Sequence, residues 1–365
     1  MKALQIYAGP GALAHMAAQG LQPADVGVIP AAAGGPKGLI LGPLDRLIFG
    51  QWLPQSQQPV HLVGASIGAW RMATACLPDS VPAFQRLEHD YIHQNYPAPP
   101  GRKRPPPEQI SENFGRSLQQ FYGGQIDALL THPRYRLHIV TSRGRHMLRT
   151  EHGWRTPLGY AGAFLTNAVY RKAMGAWLER VVFSGGGGGN PSEPRPPALP
   201  FATHDYRTRQ VPLSAHNFMD ALQASCSIPF VLRSVPHIHG APPGAYWDGG
   251  ITDYHLHLDY RSQPGLVLYP HFQQAVVPGW LDKPLRWRHR SSAFLDRMVV
   301  LAPRPEWVAT LPNGKLPTRQ DFEHYHADVP GRIRVWNTAV SAARQMADEL
   351  GAWLERPDMA QVRPL

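Results

Sequence analysis

Ser66 sits at the centre of Gly64-Ala65-Ser66-Ile67-Gly68, after the apolar run His61-Leu62-Val63 and before Ala69-Trp70-Arg71-Met72-Ala73. A strand, a Gly-x-Ser-x-Gly corner and a helix in that order can carry a nucleophile. Gly64 and Gly68 let the chain turn more sharply than side chains would allow, so the serine oxygen projects at the carboxyl end of a strand. The helix that follows points its first amides to the same place, where an oxyanion is favoured. Taken alone, the pentapeptide also suits an ordinary turn. Two further motifs bear on the choice.

Upstream, Asp25-Val26-Gly27-Val28-Ile29-Pro30 reads as a strand, and Ala33-Gly34-Gly35-Pro36-Lys37-Gly38 as a glycine-rich loop feeding a helix from Leu39 to Phe49. Gly34 and Gly35 offer bare backbone amides to a developing oxyanion, whereas Pro36 has no N–H to give. Lys37 adds positive charge beside them. Nucleotide loops require Gly-x-x-x-x-Gly-Lys-Ser/Thr or Gly-x-Gly-x-x-Gly, and neither pattern fits. Downstream, Ala245-Tyr246-Trp247 reads as a short strand that ends in Asp248-Gly249-Gly250-Ile251. Here a carboxylate stands at a strand end, although Asp-Gly is also a common hairpin signal.

In this order the three motifs resemble those of the patatin-like phospholipase family, which carries Gly-Gly-Gly-x-Arg/Lys-Gly, then Gly-x-Ser-x-Gly, then a distant Asp-Gly-Gly/Ala. The stretch Ala221-Leu222-Gln223-Ala224-Ser225-Cys226-Ser227-Ile228-Pro229-Phe230 is similar to the Ala-Ser-x-x-Ile-Pro-x-x-Phe stretch that precedes the family's aspartate. The similarity runs from roughly Val26 to Tyr254, with Ala33 in place of the first loop glycine. It implies a three-layer α/β/α fold with a largely parallel central sheet. It also implies hydrolysis of lipid acyl esters, of phospholipase A type, by a Ser66-Asp248 dyad. Asp248 would take the serine proton, Ser66 would attack the carbonyl, and the amides of Gly34 and Gly35 would hold the oxyanion. Water activated by Asp248 would then release the acid from the acyl-serine. Lys37, Gly38, Gly64, Gly68, Gly249 and Gly250 complete the motifs. An aspartate near its ordinary pKa of about 3.9 is a weak base, so this chemistry asks the pocket to raise it. No cofactor and no metal are expected.

Two rivals stay open. The chain has 18 histidines, and His255, His257, His271 or His289 could complete a Ser-Asp-His triad on an α/β-hydrolase sheet. His255-x-His257 is also a weak metal pair with no matching carboxylate motif. The second rival is a catalytically silent lipid-binding or scaffold protein of the same fold.

With 365 residues, 43% of them hydrophobic, the chain can bury a real core. A formal charge of +10 favours anionic partners. With no zinc-finger spacing and no RNA-binding aromatic signature, nucleic acid is not expected, and peripheral contact with an anionic membrane surface is. Cys76 and Cys226 read as small buried hydrophobes. The N-terminus makes a poor signal peptide, and no window reaches the roughly 20 apolar residues of a spanning helix. The expected protein is therefore soluble and cytoplasmic, of open oligomeric state.

The motifs fall within alternating strands and helices. Further helical patterning appears around Ala83 to Tyr91, and strands at Leu137 to Thr141 and Leu266 to Tyr269. Pro97 to Pro107, with Arg102-Lys103-Arg104 inside it, reads as an exposed loop. The whole chain, 1–365, reads as one domain with a helical insertion at about 155–183 and a flexible Gly/Pro-rich segment at 184–200. A C-terminal amphipathic helix at 332–355 follows from apolar residues three and four apart. Trp280, Trp287 and the cations between Val276 and Arg290 suit a membrane interface.

Overall fold

The computed structural model describes residues 1–97, 99–102, 105–186 and 195–365. Its strands are β1 (Leu4–Ala8), β2 (Val26–Ala31), β3 (Val60–Ala65), β4 (Tyr135–Gly144), β5 (Leu178–Gly186), β6 (Thr208–Pro212), β7 (Val235–Pro236), β8 (Ala245–Asp248), β9 (Leu266–Pro270), β10 (Met298–Pro303) and β11 (Val362–Pro364). They form one sheet in the order β11-β1-β10-β9-β2-β3-β4-β5-β6, with β8 on β4 and β7 on β8. From β10 through β4 the neighbours are parallel, while β1 and β5 run antiparallel to β10 and β4. The central strands are nearly continuous buried runs, as a sheet covered on both faces requires. The expected α/β/α architecture is the one observed.

The pairing of β4 positions the site. Along one edge, Tyr135 to Val140 face Val60 to Ala65 of β3, and from Thr141 onward the same edge belongs to β8, with Thr141 opposite Asp248. Two strands from distant parts of the chain thus meet end to end on a shared neighbour. Ser66 and Asp248 lie where they meet.

Several elements differ from the sequence reading. The helical insertion expected at 155–183 stops early: the α-helix Arg155–Val169 and the 3-10 turn Arg171–Ala176 are followed by β5. Val181-Val182-Phe183 are β-branched or aromatic and fully buried, which suits an interior strand better than a helix. Of the segment 184–200, residues 184–186 close β5, 187–194 lie outside the described residues, and 195–200 form neither helix nor strand. In the basic triplet, Lys103 and Arg104 also lie outside the described residues. The proline-rich loop ends at Pro106, because Pro107 opens an unanticipated helix, Pro107–Tyr122, at the first-turn position that proline tolerates. The helix expected over Leu39 to Phe49 is a 3-10 turn, an α-turn and a π-turn in succession. The C-terminal helix is two, Val329–Ala342 and Arg344–Glu355, because each half buries a different face. Trp336 and Val340 pack with Leu39 and Ile92, whereas Met346, Leu350 and Trp353 join the main core.

One buried ion pair ties the two site-bearing helices together. Arg71, on the helix Ile67–Ala75, donates from Nε and Nη2 to both carboxylate oxygens of Asp45 on the helix Gly42–Leu47, each at 2.7 Å. Both side chains are almost wholly buried. Removing one partner leaves an uncompensated charge inside, so Asp45→Ala should cost about 3–5 kcal/mol of unfolding free energy. Urea unfolding followed by circular dichroism measures this, and a loss below about 1 kcal/mol would assign the pair a minor role.

Candidate active site

Because β8 occupies the edge of β4 beyond Val140, the chain must leave the sheet at Ala65. Ser66 makes that exit with φ +57° and ψ −129°, a conformation that a non-glycine residue adopts only when its surroundings enforce it. The enforcement is visible. The Ser66 N–H donates to Ser225 Oγ at 2.9 Å, and Ser225 Oγ–H donates to the Val140 carbonyl at 2.7 Å. At Gly68 a β-carbon would overlap the Ala31 carbonyl, so the helix can approach β2 only with glycine there.

Asp248 ends β8 and is buried, as is Ser66. The Ser66 Oγ–H donates to Asp248 Oδ2 at 2.6 Å, and the Gly250 N–H donates to Oδ1 at 2.7 Å. The backbone of Asp248 is fixed as well, with its N–H on the Ser227 carbonyl and its carbonyl accepting from Ser142 Oγ. Gly249 has an ordinary helical φ of −62°. Glycine is required there because a β-carbon would collide with the Val140 carbonyl.

The glycine-rich loop closes the arrangement. Gly34 lines the cavity beside Asp248 and stacks so closely on Phe272 that a β-carbon would lie 2.5 Å from the ring. Gly35, with φ +56°, opens the 3-10 turn Gly35–Leu41. The amides at such a start lack intrahelical acceptors and can serve an anion. Lys37 lines the same cavity, its amine 5.3 Å from the Phe272 ring centre and its pKa lowered by burial. Gly38 packs against Ile67 on the helix behind Ser66.

Burial raises the Asp248 pKa above the ordinary 3.8, against the opposing pull of Arg319, the Ser66 and Gly250 hydrogen bonds and Lys283. The carboxylate is thereby made a better base. The cavity measures about 160 Å³ and is walled by Ile228, Pro229, Tyr254, Trp280, Lys283 and Arg319, among others. Lys283 holds its amine 3.9 Å from the Tyr254 ring centre.

The four histidines considered for a triad are engaged elsewhere. His255 and His257 bond through Nδ1 to the carbonyls of Ala275 and Val276, His271 to that of Gln273, and His289 Nε2 to that of Asp282. Among the described residues, no histidine bonds to Ser66 or Asp248. His255 and His257 point to separate backbone partners, and no group of three or more ligand side chains able to hold a metal occurs among the described residues. Sequence reasoning placed Ser225 inside a motif without giving it a task. It missed Arg319 and Lys283 as wall residues, since isolated cations in loops carry no periodic signal.

The fold belongs to the α/β class, with Ser66 and Asp248 at the ends of two strands that share β4 as neighbour. The family model for patatin-like phospholipases matches residues 33–255, more than half of the chain, and the protein belongs to that family of lipid acyl hydrolases. No curated protein and no solved structure matches the chain. No helix among the described residues is long and apolar enough to cross a membrane.

Two stability measurements check this geometry. Ser225→Ala leaves the buried Ser66 amide without its acceptor and should cost about 1–3 kcal/mol in urea unfolding. Asp248→Asn should do the opposite at neutral pH. Since the native pKa is raised, the stability linked to the protonated acid is complete below the unfolded pKa and is lost as pH rises through the native one. The asparagine variant should therefore melt above the parent at pH 7, and the gap should close by about pH 3.5. A lower melting point at both pH values would contradict the raised pKa.

Proposed function

We propose that the protein is a serine acyl hydrolase that cleaves acyl esters of lipids through Ser66 as nucleophile and Asp248 as its base. The observation that carries this reading is the 2.6 Å bond from Ser66 Oγ–H to a buried carboxylate, made by a serine held at φ +57°. Asp248 accepts the serine proton as Oγ attacks the ester carbonyl. The tetrahedral oxyanion is taken up by the amides of Gly34 and Gly35, where it meets the positive end of the turn and the Lys37 charge. Collapse expels the alcohol with the proton from Asp248. The carboxylate then draws a proton from water, and hydroxide attack frees the acid and restores Ser66.

Size and surface favour a lipid. A cavity of about 160 Å³ is below the roughly 300–1,000 Å³ of pockets that enclose a whole ligand. It suits the ester end, with the acyl chain lying across the mouth. There Phe230 is 56% exposed at φ +67°, directly after the wall residues Ile228 and Pro229, and Trp280 is 37% exposed. Further along the chain Trp287 is 64% exposed, next to the exposed cations Arg286 and Arg290. Such a mixture favours docking of the rim on an anionic lipid surface. The silent scaffold reading is disfavoured by the intact Ser66-Asp248 bond.

A fluorophosphonate probe should label the protein at Ser66, and Ser66→Ala should abolish both labelling and turnover of acyl esters. Asp248→Asn should lower kcat by at least about 10³-fold with the fold retained, the scale on which loss of a catalytic base acts. Activity should fall on the acid side as Asp248 protonates, with a midpoint above 3.8 in keeping with its raised pKa. Near-parental turnover in either variant would remove the dyad, and loss of activity in His255→Gln alone would move the mechanism to a triad.

A further inference from the structure

Two of the cations on the cavity wall come from chain beyond the segment that the family model matches. Lys283 follows the turn Trp280–Asp282, and Arg319 heads the short helix Gln320–His324. Both residues are exposed overall, yet both line the cavity. The Lys283 amine sits over Tyr254, and Arg319 Nε lies 3.0 Å from where a β-carbon on Gly35 would be. Lys37 is the third cation, and Asp248 is the one carboxylate among the lining residues. Both Asp248 oxygens already accept hydrogen bonds, from Ser66 and Gly250.

The two segments are anchored so that the cations stay in place and unneutralised. Beside Lys283, buried Asp282 accepts from Asn167 Nδ2 at 2.8 Å, Arg171 Nη1 at 2.8 Å and Arg288 Nη1 at 2.9 Å. Near Arg319, buried Asp321 accepts from the Thr318 amide at 2.8 Å, Lys315 Nζ at 2.9 Å and Trp336 Nε1 at 3.0 Å. These aspartates hold the backbone while spending their charge on other partners. Among the described residues, no ion pair engages Lys37, Lys283 or Arg319. By contrast, Arg71 and Arg180 in the core are fully paired.

Three cations facing one carboxylate make the entrance positive, and a cleft lined by one sign of charge gathers counter-ions. The charges sense one another, for Lys283 is lowered to about 8 by burial of its amine and then by Lys37 and Arg319. An anion placed between them relieves that repulsion. A guanidinium fork with two ammonium groups suits the oxygens of a phosphoryl group. We propose that Lys283 and Arg319, with Lys37, form a subsite for a phosphoryl group carried next to the scissile ester, so that the site selects acyl esters of phosphomonoesters over neutral esters of the same acyl chain. The proposal rests on the acyl-hydrolase reading, but binding tests it apart from turnover.

The test uses the full chain with Ser66→Ala, so that ligand survives the measurement. Calorimetry compares a 1-acylglycerol 3-phosphate, the matching 1-acylglycerol and inorganic phosphate, all at low salt and below micelle formation. The phosphorylated ester should bind about 10- to 100-fold tighter than the neutral one. Arg319→Gln and Lys283→Gln on the same background should each erase most of that preference, and Arg319→Lys and Lys283→Arg should keep part of it, which separates lost charge from lost folding. Equal affinity for the two esters, or a preference that survives both glutamine substitutions, overturns the subsite. Tight binding of inorganic phosphate without any preference for the phosphorylated ester marks a free-phosphate site and overturns the substrate assignment. If the parent protein hydrolyses neither ester while the binding preference and its loss in the variants hold, the subsite stands and the hydrolase reading falls.

Discussion

The hydrogen bond between Ser66 and Asp248 joins residues 182 positions apart, and the sheet is arranged around it. Strand β4 acts as the common ruler. Its Val140 faces the last residue of β3 and its Thr141 faces the last residue of β8, so two chain ends are delivered to one point with the precision of a ladder register. The Val140 carbonyl is used twice more, as the acceptor for Ser225 Oγ–H and as the wall that excludes a β-carbon at Gly249. Neither turn can relax without breaking pairing on β4. That is how a strained serine is kept in place.

The pocket's electrostatics follow from the same burial. Taking Asp248 out of water raises its pKa, while cations contributed by the C-terminal third of the chain pull it back. Burial outweighs the opposing pulls, so the carboxyl stays above its ordinary pKa. The glycine loop, by contrast, contributes backbone dipoles that do not titrate. Charge that can titrate and dipoles that cannot are thus carried by different kinds of group.

Much of this was legible in the sequence because the motif glycines report close approaches that only glycine permits, and their order along the chain is the order of the site. Ser66, Asp248, Gly34 and Gly35 could be singled out for that reason, and the alternating strands and helices gave the parallel sheet. Other features left no local trace. Strand β5 was hidden in apolar residues whose spacing also fits a helix, and only its neighbours β4 and β6 decide the matter. The helix beginning at Pro107 was masked by the prolines before it. The break at Ala343 reflects two separate packing surfaces, and Ser225, Lys283 and Arg319 acquire meaning only through partners far away in sequence.

The shortness of β8 has a consequence for the life history of the molecule. Four residues, paired with β4 through Thr141, Ser142 and Arg143, hold the carboxylate against the serine. Elements this small open locally at lower free energy than the surrounding core. On the acyl-hydrolase reading, a growing chain carries Ser66 long before Asp248 is added, so the serine would lack its proposed base until β8 pairs with β4, and a molecule beginning to unravel would lose that contact while most of the sheet is still intact. On that reading the chemistry would be confined to the completed fold, sparing the lipids around a chain that is still incomplete.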